Sequence, residues 1–325
     1  MCGASSGFFA WVVAPNHSLS LGNRNCMLSV VDAAAFGVTG ERLSSQSAQQ
    51  PCWDSNPLGT FQLHLSRAWQ AGGIRNVVLS NPQRRNALSL AMLKSLREDL
   101  LRDIDSLDLR VIIISGEGPV FSSGHDLKEL SPETGKKYHL EVFETCAELM
   151  TLLSKLPVPV IAKVNGLATA VGCQLVASCD IAVAGEESRF ATPGVNVGLF
   201  CSTPAVPVGR SLPRKVALEM LFTGEPITAR EALLHGLISR VVPAEKLEDE
   251  TLRIAHKICE SSRSVLALGK AAFYKQMAQD VDTAYRTTSG VMVDNLALED
   301  GREGIEAFLC KRKPVWSQSG RKGSP

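Results

Sequence analysis

Residues 165–180 read NGLATAVGCQLVASCD, and glycine and short polar residues interrupt an otherwise apolar run there. The apolar residues Val158 to Val164 before this stretch predict a strand. Gly172 to Ala177 predict the start of a helix, and Ile181 to Ala184 predict another strand. Glycines at strand ends let backbone N–H groups point into a cleft. The stretch therefore predicts strands and a helix joined by a loop that faces a cleft.

Two further segments have the same character. Residues 121–129 read FSSGHDLKE and follow a predicted strand at Val111 to Ile114, and residues 190–198 read FATPGVNVG. Two acids in these regions have structural interpretations. Asp126 is expected to order its own loop, and Asp180 is expected to position a strand, so neither is taken as a catalytic base.

Strands alternate with helices through the first part of the chain. Ile74 to Leu79 predict a strand, and Ser89 is a suitable N-cap for the helix that follows. After about residue 204 the pattern is almost entirely helical, with a capping-box signal at Thr228 and Glu231. The sequence thus predicts an α/β fold with a helical C-terminal region. The predicted divisions are a disordered or targeting extension at 1–70, a core at 71–205, a helical region at 206–316 and a tail at 317–325.

The composition excludes several classes of protein. Lys and Arg number 34 against 33 for Asp and Glu, so nothing in the charge balance calls for a nucleic-acid partner. The nine cysteines form no C-x-x-C pair and His and Cys never reach metal-ligand spacing, so no disulfide frame and no metal site are predicted. The apolar run from Phe8 to Ala14 is far shorter than the roughly 20 residues of a membrane span.

Taken together, the motifs resemble those of the crotonase (enoyl-CoA hydratase/isomerase) family from about Ile74 to Trp316. The matching segments are Arg85-Asn-Ala-Leu88, Ser123-Gly-His-Asp-Leu127, Asn165 to Asp180, Phe222-Thr-Gly224, Ala232 with Gly236-Leu237, Glu303-Gly304 and Phe308-Leu-Cys-Lys-Arg-Lys-Pro314. The resemblance implies a crotonase-like spiral of β-β-α turns whose C-terminal helices build a homotrimer or hexamer. It also implies a CoA thioester as ligand, no further cofactor, and a mitochondrial location, with the cytoplasm as the alternative.

The family's site residues transfer by motif position. Two backbone N–H groups, those of His125 and Val171, correspond to the family's oxyanion hole for the thioester carbonyl. One such donor is worth about 3–4 kcal/mol in a comparable site. The resemblance places the CoA moiety, including its phosphates, along residues that lie near these donors in sequence and on the last helix. They are Asn86, Ala87, Leu88, Ser123, Gly124, Asp126, Leu127, Gly172 and Lys311.

The sequence departs from the family at the residues that activate water. Family hydratases use two glutamates, one as base and one as proton donor. Gln174 stands at the first glutamate position and Gly194 at the second, while Ser202 lies near the position of a further acid used by dienoyl-CoA isomerases. Hydratase activity is therefore predicted to be weak or absent.

Several alternatives remain open at this point. The His125 side chain is a candidate titratable group, and Cys201 is a candidate nucleophile whose simpler interpretation is a packed thiol. For the whole protein, the first hypothesis is an enolate-forming CoA-thioester enzyme such as a decarboxylase or isomerase. The second is a non-enzymatic acyl-CoA binder, and the third is an interaction subunit that no longer binds the ligand.

Overall fold

The computed structural model describes residues 65–322, which form β-strands and helices in alternation. The strands are β1 (Ser66–Ala71), β2 (Ile74–Leu79), β3 (Val111–Gly116), β4 (Val120–Ser122), β5 (Val160–Val164), β6 (Leu167–Thr169), β7 (Ile181–Gly185), β8 (Arg189–Ala191), β9 (Ile227–Thr228) and β10 (Arg240–Val242). The helices are α1 (Leu90–Leu101), α2 (Gly135–Lys155), α3 (Val171–Ser178), α4 (Ala205–Ser211), α5 (Arg214–Thr223), α6 (Ala229–Leu234), α7 (Leu247–Cys259), α8 (Arg263–Gln276), α9 (Val281–Ala297) and α10 (Glu299–Leu309).

Successive turns of the chain add one strand to each of two sheets. The larger sheet has the order β1-β2-β3-β5-β7-β10, and the smaller one has the order β4-β6-β8-β9. Neighbours from β2 to β10 in the larger sheet are parallel, and only β1 is antiparallel to its neighbour. This confirms the predicted α/β fold of repeated β-β-α turns.

The central strands of the larger sheet are buried on both faces. Ile112 and Ile114 point into the main core, whereas Val111 and Ile113 point into a second apolar cluster that Leu247 of α7 helps to cover. A strand covered on both faces must be apolar at every position. The uninterrupted run from Val111 to Ile114 was a reliable strand signal for this reason.

One predicted boundary needs correction. Residues 66–70 were assigned to the N-terminal extension, but they belong to β1; residues 1–64 of that extension lie outside the described residues. The region after residue 206 is mainly helical, as predicted, and it also contributes β9 and β10, the end strands of the two sheets. Residues 317–322 of the tail are held to α10, where Asp300 accepts hydrogen bonds from the N–H groups of Ser317 and Gln318 at 2.7 and 3.1 Å.

The Asp180 side chain links α8 to the larger sheet through hydrogen bonds. Its carboxylate accepts hydrogen bonds at 2.7 Å each from the Val160 N–H, the Lys270 ammonium and the Tyr274 hydroxyl. The Lys270 ammonium also donates to the Leu153 and Val158 carbonyls. These contacts confirm that Asp180 positions a strand.

Removing the Lys270 charge is expected to destabilise the fold by roughly 3 kcal/mol, because the Asp180 carboxylate, which is only 16% exposed, would lose its cationic partner. Burial lowers the pKa of Lys270 and the nearby Asp180 raises it, which is the balance expected of a buried ion pair. Urea unfolding of Lys270→Met measures the loss. The exposed Lys275→Met variant is the control and should change stability by less than about 0.5 kcal/mol. Equal effects of the two variants would contradict this account of Lys270.

Within residues 65–322, no helix is both long and apolar enough to cross a membrane. The same residues contain no group of three or more His, Cys, Asp or Glu side chains placed to hold a metal ion.

Candidate active site

Two loops pack directly against each other: residues 122–125, which start at the end of β4, and residues 169–172, which run into the first turn of α3. Glycines allow this contact. A Cβ atom on Gly124 would lie 3.0 Å from the Ala170 Cβ, and one on Gly172 would lie 2.7 Å from the Ser122 carbonyl oxygen. Gly124 also has a φ of +93°, a backbone conformation that residues other than glycine rarely adopt. The structure thus brings together the two sequence segments predicted to form the site.

The peptide group between Gly124 and His125 has a fixed orientation. The Leu88 N–H donates to the Gly124 carbonyl oxygen at 2.7 Å. A trans peptide directs its C=O and N–H to opposite sides. The N–H of His125 therefore points away from Leu88.

A similar constraint acts on the peptide group between Ala170 and Val171. The Gln174 N–H donates to the Ala170 carbonyl oxygen at 3.0 Å, as the first turn of α3 requires. The Val171 N–H therefore points out of the N-terminal end of that helix. Ala170 has a φ of 48°, an unusual value for a residue other than glycine. In residues 65–322, neither the Val171 N–H nor the His125 N–H donates a hydrogen bond.

A cavity of about 500 Å³ lies at these two residues. Its walls come from the two loops, from α2 and from residues 193–204. None of its wall residues within the described chain is an acid, a lysine or an arginine. The wall residues are Ser123, His125, Leu127, Leu130, Phe143, Ala170, Val171, Pro193, Gly194, Asn196, Val197, Leu199, Phe200, Cys201, Ser202, Thr203 and Pro204.

The position of the second family glutamate has no room for a side chain. A Cβ atom on Gly194 would lie 2.5 Å from the Leu199 carbonyl oxygen and 2.8 Å from the Cys201 sulfur. Because one of these atoms belongs to the backbone, the 199–201 segment would have to move to admit a larger residue. The Cys201 thiol thus fills the space that a carboxylate side chain would enter.

The first glutamate position is occupied by Gln174, which is 3% exposed on α3. The Oε1 atom of Gln174 is buried and accepts no hydrogen bond from the described residues. An amide acts neither as a Brønsted base nor as a Brønsted acid near neutral pH, so this buried group does not replace a carboxylate.

Cys201 is 8% exposed, and burial raises the pKa of its thiol while a backbone hydrogen bond from Gly194 lowers it to a lesser degree. The thiol therefore stays protonated near neutral pH, and a protonated thiol is a poor nucleophile. The position supports the packed-thiol interpretation of Cys201.

Residues 86–88, predicted to lie along CoA, are held inside the fold by their side chains. Both amide hydrogens of Asn86 donate to carbonyls, to Glu117 at 2.9 Å and to Val120 at 2.8 Å, and its Oδ1 accepts from the Asn81 N–H at 2.9 Å. The Ala87 and Leu88 side chains are buried as well. The N–H groups of these three residues also donate within the fold, so the predicted CoA contact of this segment rests on its backbone carbonyls.

The remaining predicted residues divide into those at the cavity and those elsewhere. Leu127 and Ser123 both line the cavity, and Leu127 is exposed. Asp126 instead forms an ion pair with Arg84 at 3.6 Å. The Asp126 Oδ1 also accepts from the Lys128 N–H at 3.1 Å, which orders the loop as predicted.

Lys311 requires a correction because it lies beyond the last helix. Helix α10 ends at Leu309, and Lys311 has a φ of 53°. Its N–H donates to the Phe308 carbonyl and that of Arg312 donates to the Ala307 carbonyl, as in a Schellman motif. Lys311 is exposed there.

The His125 ring is part of the site in its own right. Its Nδ1 atom lies 3.0 Å from the Leu88 carbonyl oxygen, and the ring stands nearly perpendicular to that of Phe143, with the ring centroids 5.3 Å apart. Burial lowers the pKa of His125, and the bond to Leu88 raises it by less. The ring is therefore neutral at physiological pH.

The folded protein is expected to lose stability as the pH falls below about 6.5, the ordinary pKa of histidine. Because the pKa of His125 is lower in the folded chain than in the unfolded chain, protons bind the unfolded chain preferentially in acid. The stability that the neutral His125 ring contributes is fully present above the pKa of the unfolded chain and is lost as the pH falls below it. Urea unfolding at neutral and mildly acidic pH measures this, and His125→Phe should show a shallower pH dependence than the wild type. Equal slopes would contradict the assignment.

Local sequence indicated part of the cavity wall, namely residues 190–198, Cys201 and Ser202, but not the contributions of Leu130, Phe143 and Leu199. Phe200 of this wall lies beside Phe222 of α5, with ring centroids 6.0 Å apart, and the two residues are 47% and 64% exposed. Large apolar residues in a stretch with neither helical nor strand periodicity were the available signal.

Comparisons with known proteins agree with this geometry. Residues 70–319 match the model of the family described as Enoyl-CoA hydratase/isomerase. The chain is 72% identical over 253 residues to mouse "Enoyl-CoA hydratase domain-containing protein 3, mitochondrial", covering 78% of this chain and 84% of that protein. It is 71% identical over 299 residues to the human protein of the same name, covering 90% of this chain and 99% of that one.

Solved structures give the same result. The crystal structure of human enoyl coenzyme A hydratase domain-containing protein 3 superposes with a TM-score of 0.77 at 70% identity, covering 78% of this chain and all of that one (100%). An enoyl-CoA hydratase from Mycobacterium smegmatis gives a TM-score of 0.76 at 43% identity, covering 78% of this chain and 98% of that one. This chain therefore belongs to the enoyl-CoA hydratase/isomerase, or crotonase, family.

Proposed function

We propose that this protein binds an acyl-CoA thioester and holds its carbonyl oxygen between the backbone N–H groups of His125 and Val171. The observation that carries the proposal is a pair of peptide groups whose carbonyls are hydrogen-bonded within the fold while their N–H groups have no partner in the described chain. Both residues line one uncharged cavity. Fixed donors in such surroundings stabilise negative charge on a carbonyl oxygen strongly.

The same cavity argues against water addition. Hydration of a carbon–carbon double bond needs one group that takes a proton and another that gives one. Gln174 and Gly194 supply neither, and no carboxylate is found in the described cavity wall. The proposed function is therefore acyl-CoA binding with weak or absent hydratase activity.

The rest of the proposal concerns the CoA moiety and the cell. The adenosine and pantetheine parts run along the backbone of residues 86–88 and 123–127, and Lys311 of a neighbouring subunit approaches a CoA phosphate in a trimer. The exposure of Lys311 is consistent with this. A role in mitochondrial fatty-acid metabolism is supported by the word mitochondrial in the names of the similar mouse and human proteins.

A second candidate is decarboxylation of an acyl-CoA that carries a carboxylate on its α-carbon. In that reaction the bond between the α-carbon and the carboxylate breaks, CO₂ leaves, and the electron pair passes to the thioester carbonyl oxygen to form an enolate. The step needs the two donors but no base. The retention of the His125 and Val171 donors without acids in the cavity favours this candidate over hydration.

Titration calorimetry with short-, medium- and long-chain acyl-CoAs tests the proposal, with free CoA as the control ligand. Acyl-CoAs are expected to bind more tightly than free CoA, because the apolar cavity gains the acyl chain. Binding of none of them would overturn the proposal and favour an interaction subunit. Long incubation followed by mass spectrometry then separates a binder, which leaves the thioester unchanged, from a decarboxylase, which releases CO₂.

A further inference from the structure

Within residues 65–322 the imidazole of His125 makes one polar contact, and that contact defines its tautomer. A carbonyl oxygen only accepts hydrogen bonds, so the proton must lie on Nδ1, which is 3.0 Å from the Leu88 oxygen. Nε2 is then the atom with the lone pair. It is buried and has no hydrogen-bond partner among the described residues.

Leu88 contacts the same loop twice. Its N–H donates to the Gly124 carbonyl oxygen at 2.7 Å, and its carbonyl oxygen accepts from the His125 ring. These two bonds lie on either side of the Gly124–His125 peptide group, whose N–H is one of the proposed thioester donors. Glycine gives this peptide unusual rotational freedom, and the pair of bonds restricts it.

The rest of the ring's surroundings also fix its position. Phe143 packs against it in an edge-to-face arrangement with ring centroids 5.3 Å apart, and Nε2 is buried although His125 lines the cavity. Because Nε2 is covered, it cannot reach a proton on a ligand in the cavity without a rearrangement of this packing. The ring is therefore badly placed to act as a general base.

We propose that the His125 side chain is a positioning residue for its own backbone N–H. By bonding to the Leu88 carbonyl, the neutral imidazole holds the Gly124–His125 peptide in the orientation that polarises the thioester carbonyl. The inference rests on the proposed function, since it assigns a role to the ring only if that N–H receives the thioester oxygen. It places a specific requirement on residue 125, namely a hydrogen-bond donor at the position of Nδ1.

Two variants separate the donor from the ring. His125→Asn keeps an amide hydrogen close to the position of Nδ1, whereas His125→Phe keeps an aromatic ring beside Phe143 but removes the donor. The readout is the infrared stretching frequency of the thioester carbonyl in bound, isotope-labelled butyryl-CoA, together with the affinity from calorimetry. A purely structural role for the ring would not move that frequency in a variant that still folds and binds.

The wild type is expected to shift the carbonyl frequency downwards relative to free butyryl-CoA. His125→Phe should show a smaller shift and about five- to tenfold weaker binding, the loss expected for one hydrogen bond. His125→Asn should recover most of both. A full shift in His125→Phe, or no recovery in His125→Asn, would overturn the inference. No shift in the wild type would instead contradict the proposed function on which it depends.

A measurement without any substitution covers the case in which His125→Phe does not fold. Nitrogen-15 NMR of the histidine ring distinguishes the two neutral tautomers of the wild-type protein. We expect the His125 proton on Nδ1 at neutral pH. A proton on Nε2 would overturn the inference, because the ring could not then donate to Leu88.

Discussion

Gly172→Ala is expected to weaken acyl-CoA binding by at least about tenfold and to destabilise the fold by roughly 1–3 kcal/mol, the usual cost of overpacking. The added methyl group would lie 2.7 Å from the Ser122 carbonyl oxygen and 2.8 Å from the Ser122 Cβ. Because these are atoms of the opposing loop, the two loops must separate. Separation moves the Val171 and His125 N–H groups apart, so the thioester oxygen cannot bond to both.

A glycine elsewhere in the chain supplies the matched control. A Cβ atom on Gly269, in the middle of α8, would meet no heavy atom within 4 Å. Gly269→Ala should therefore leave binding unchanged and raise stability by up to about 1 kcal/mol, the helix-propensity difference. Calorimetry and urea unfolding of both variants make the comparison. Wild-type binding by Gly172→Ala would contradict the close approach of the two loops.

The second expected result concerns hydration of crotonyl-CoA. The wild type should turn over on the order of 10²–10⁴-fold more slowly than a family hydratase with both glutamates, since acid–base catalysis contributes about that much. The double variant Gln174→Glu with Gly194→Glu should not recover the missing rate. The Cβ atom of its second glutamate would lie 2.5 Å from the Leu199 carbonyl oxygen, so either the side chain or the 199–201 segment is displaced.

The single variant Gln174→Glu is the control for this experiment, because it introduces one carboxylate without the collision at residue 194. It should fold and remain as inactive as the wild type. Hydration of crotonyl-CoA is followed by the loss of absorbance of the conjugated thioester. A family-level rate in the wild type would refute the assignment of Gln174 and Gly194, and recovery in the double variant would refute the steric argument.

The sequence predicted the central strands of the fold closely and its edges poorly. The predicted strand from Ile74 to Leu79 has the observed boundaries because it is largely buried within the larger sheet. Strand β1 was missed because it lies at the sheet edge, where only Ser66 is buried and Trp69 is 54% exposed. The two residues of β9 are too few to produce any periodicity.

The candidate site was also predicted only in part. The glycine-containing loops at His125 and Val171 were predicted from local sequence and from the family resemblance, since both carry their backbone geometry in adjacent residues. The contacts that fix them were not. The bond from Leu88 to Gly124 joins residues far apart in the chain, as do those from Asn86 to Glu117 and Val120. Such contacts depend on tertiary packing, which single-sequence patterns do not encode.

The most direct test of the central claim is a crystal structure of this protein with a bound, non-reactive acyl-CoA. The account predicts that the thioester carbonyl oxygen lies about 2.7–3.1 Å from both the His125 and Val171 backbone nitrogens. It also predicts that the acyl chain occupies the cavity walled by Phe143 and Phe200, with no carboxylate beside the β-carbon. A carbonyl oxygen directed away from these nitrogens, with the acyl chain outside the cavity, would contradict it.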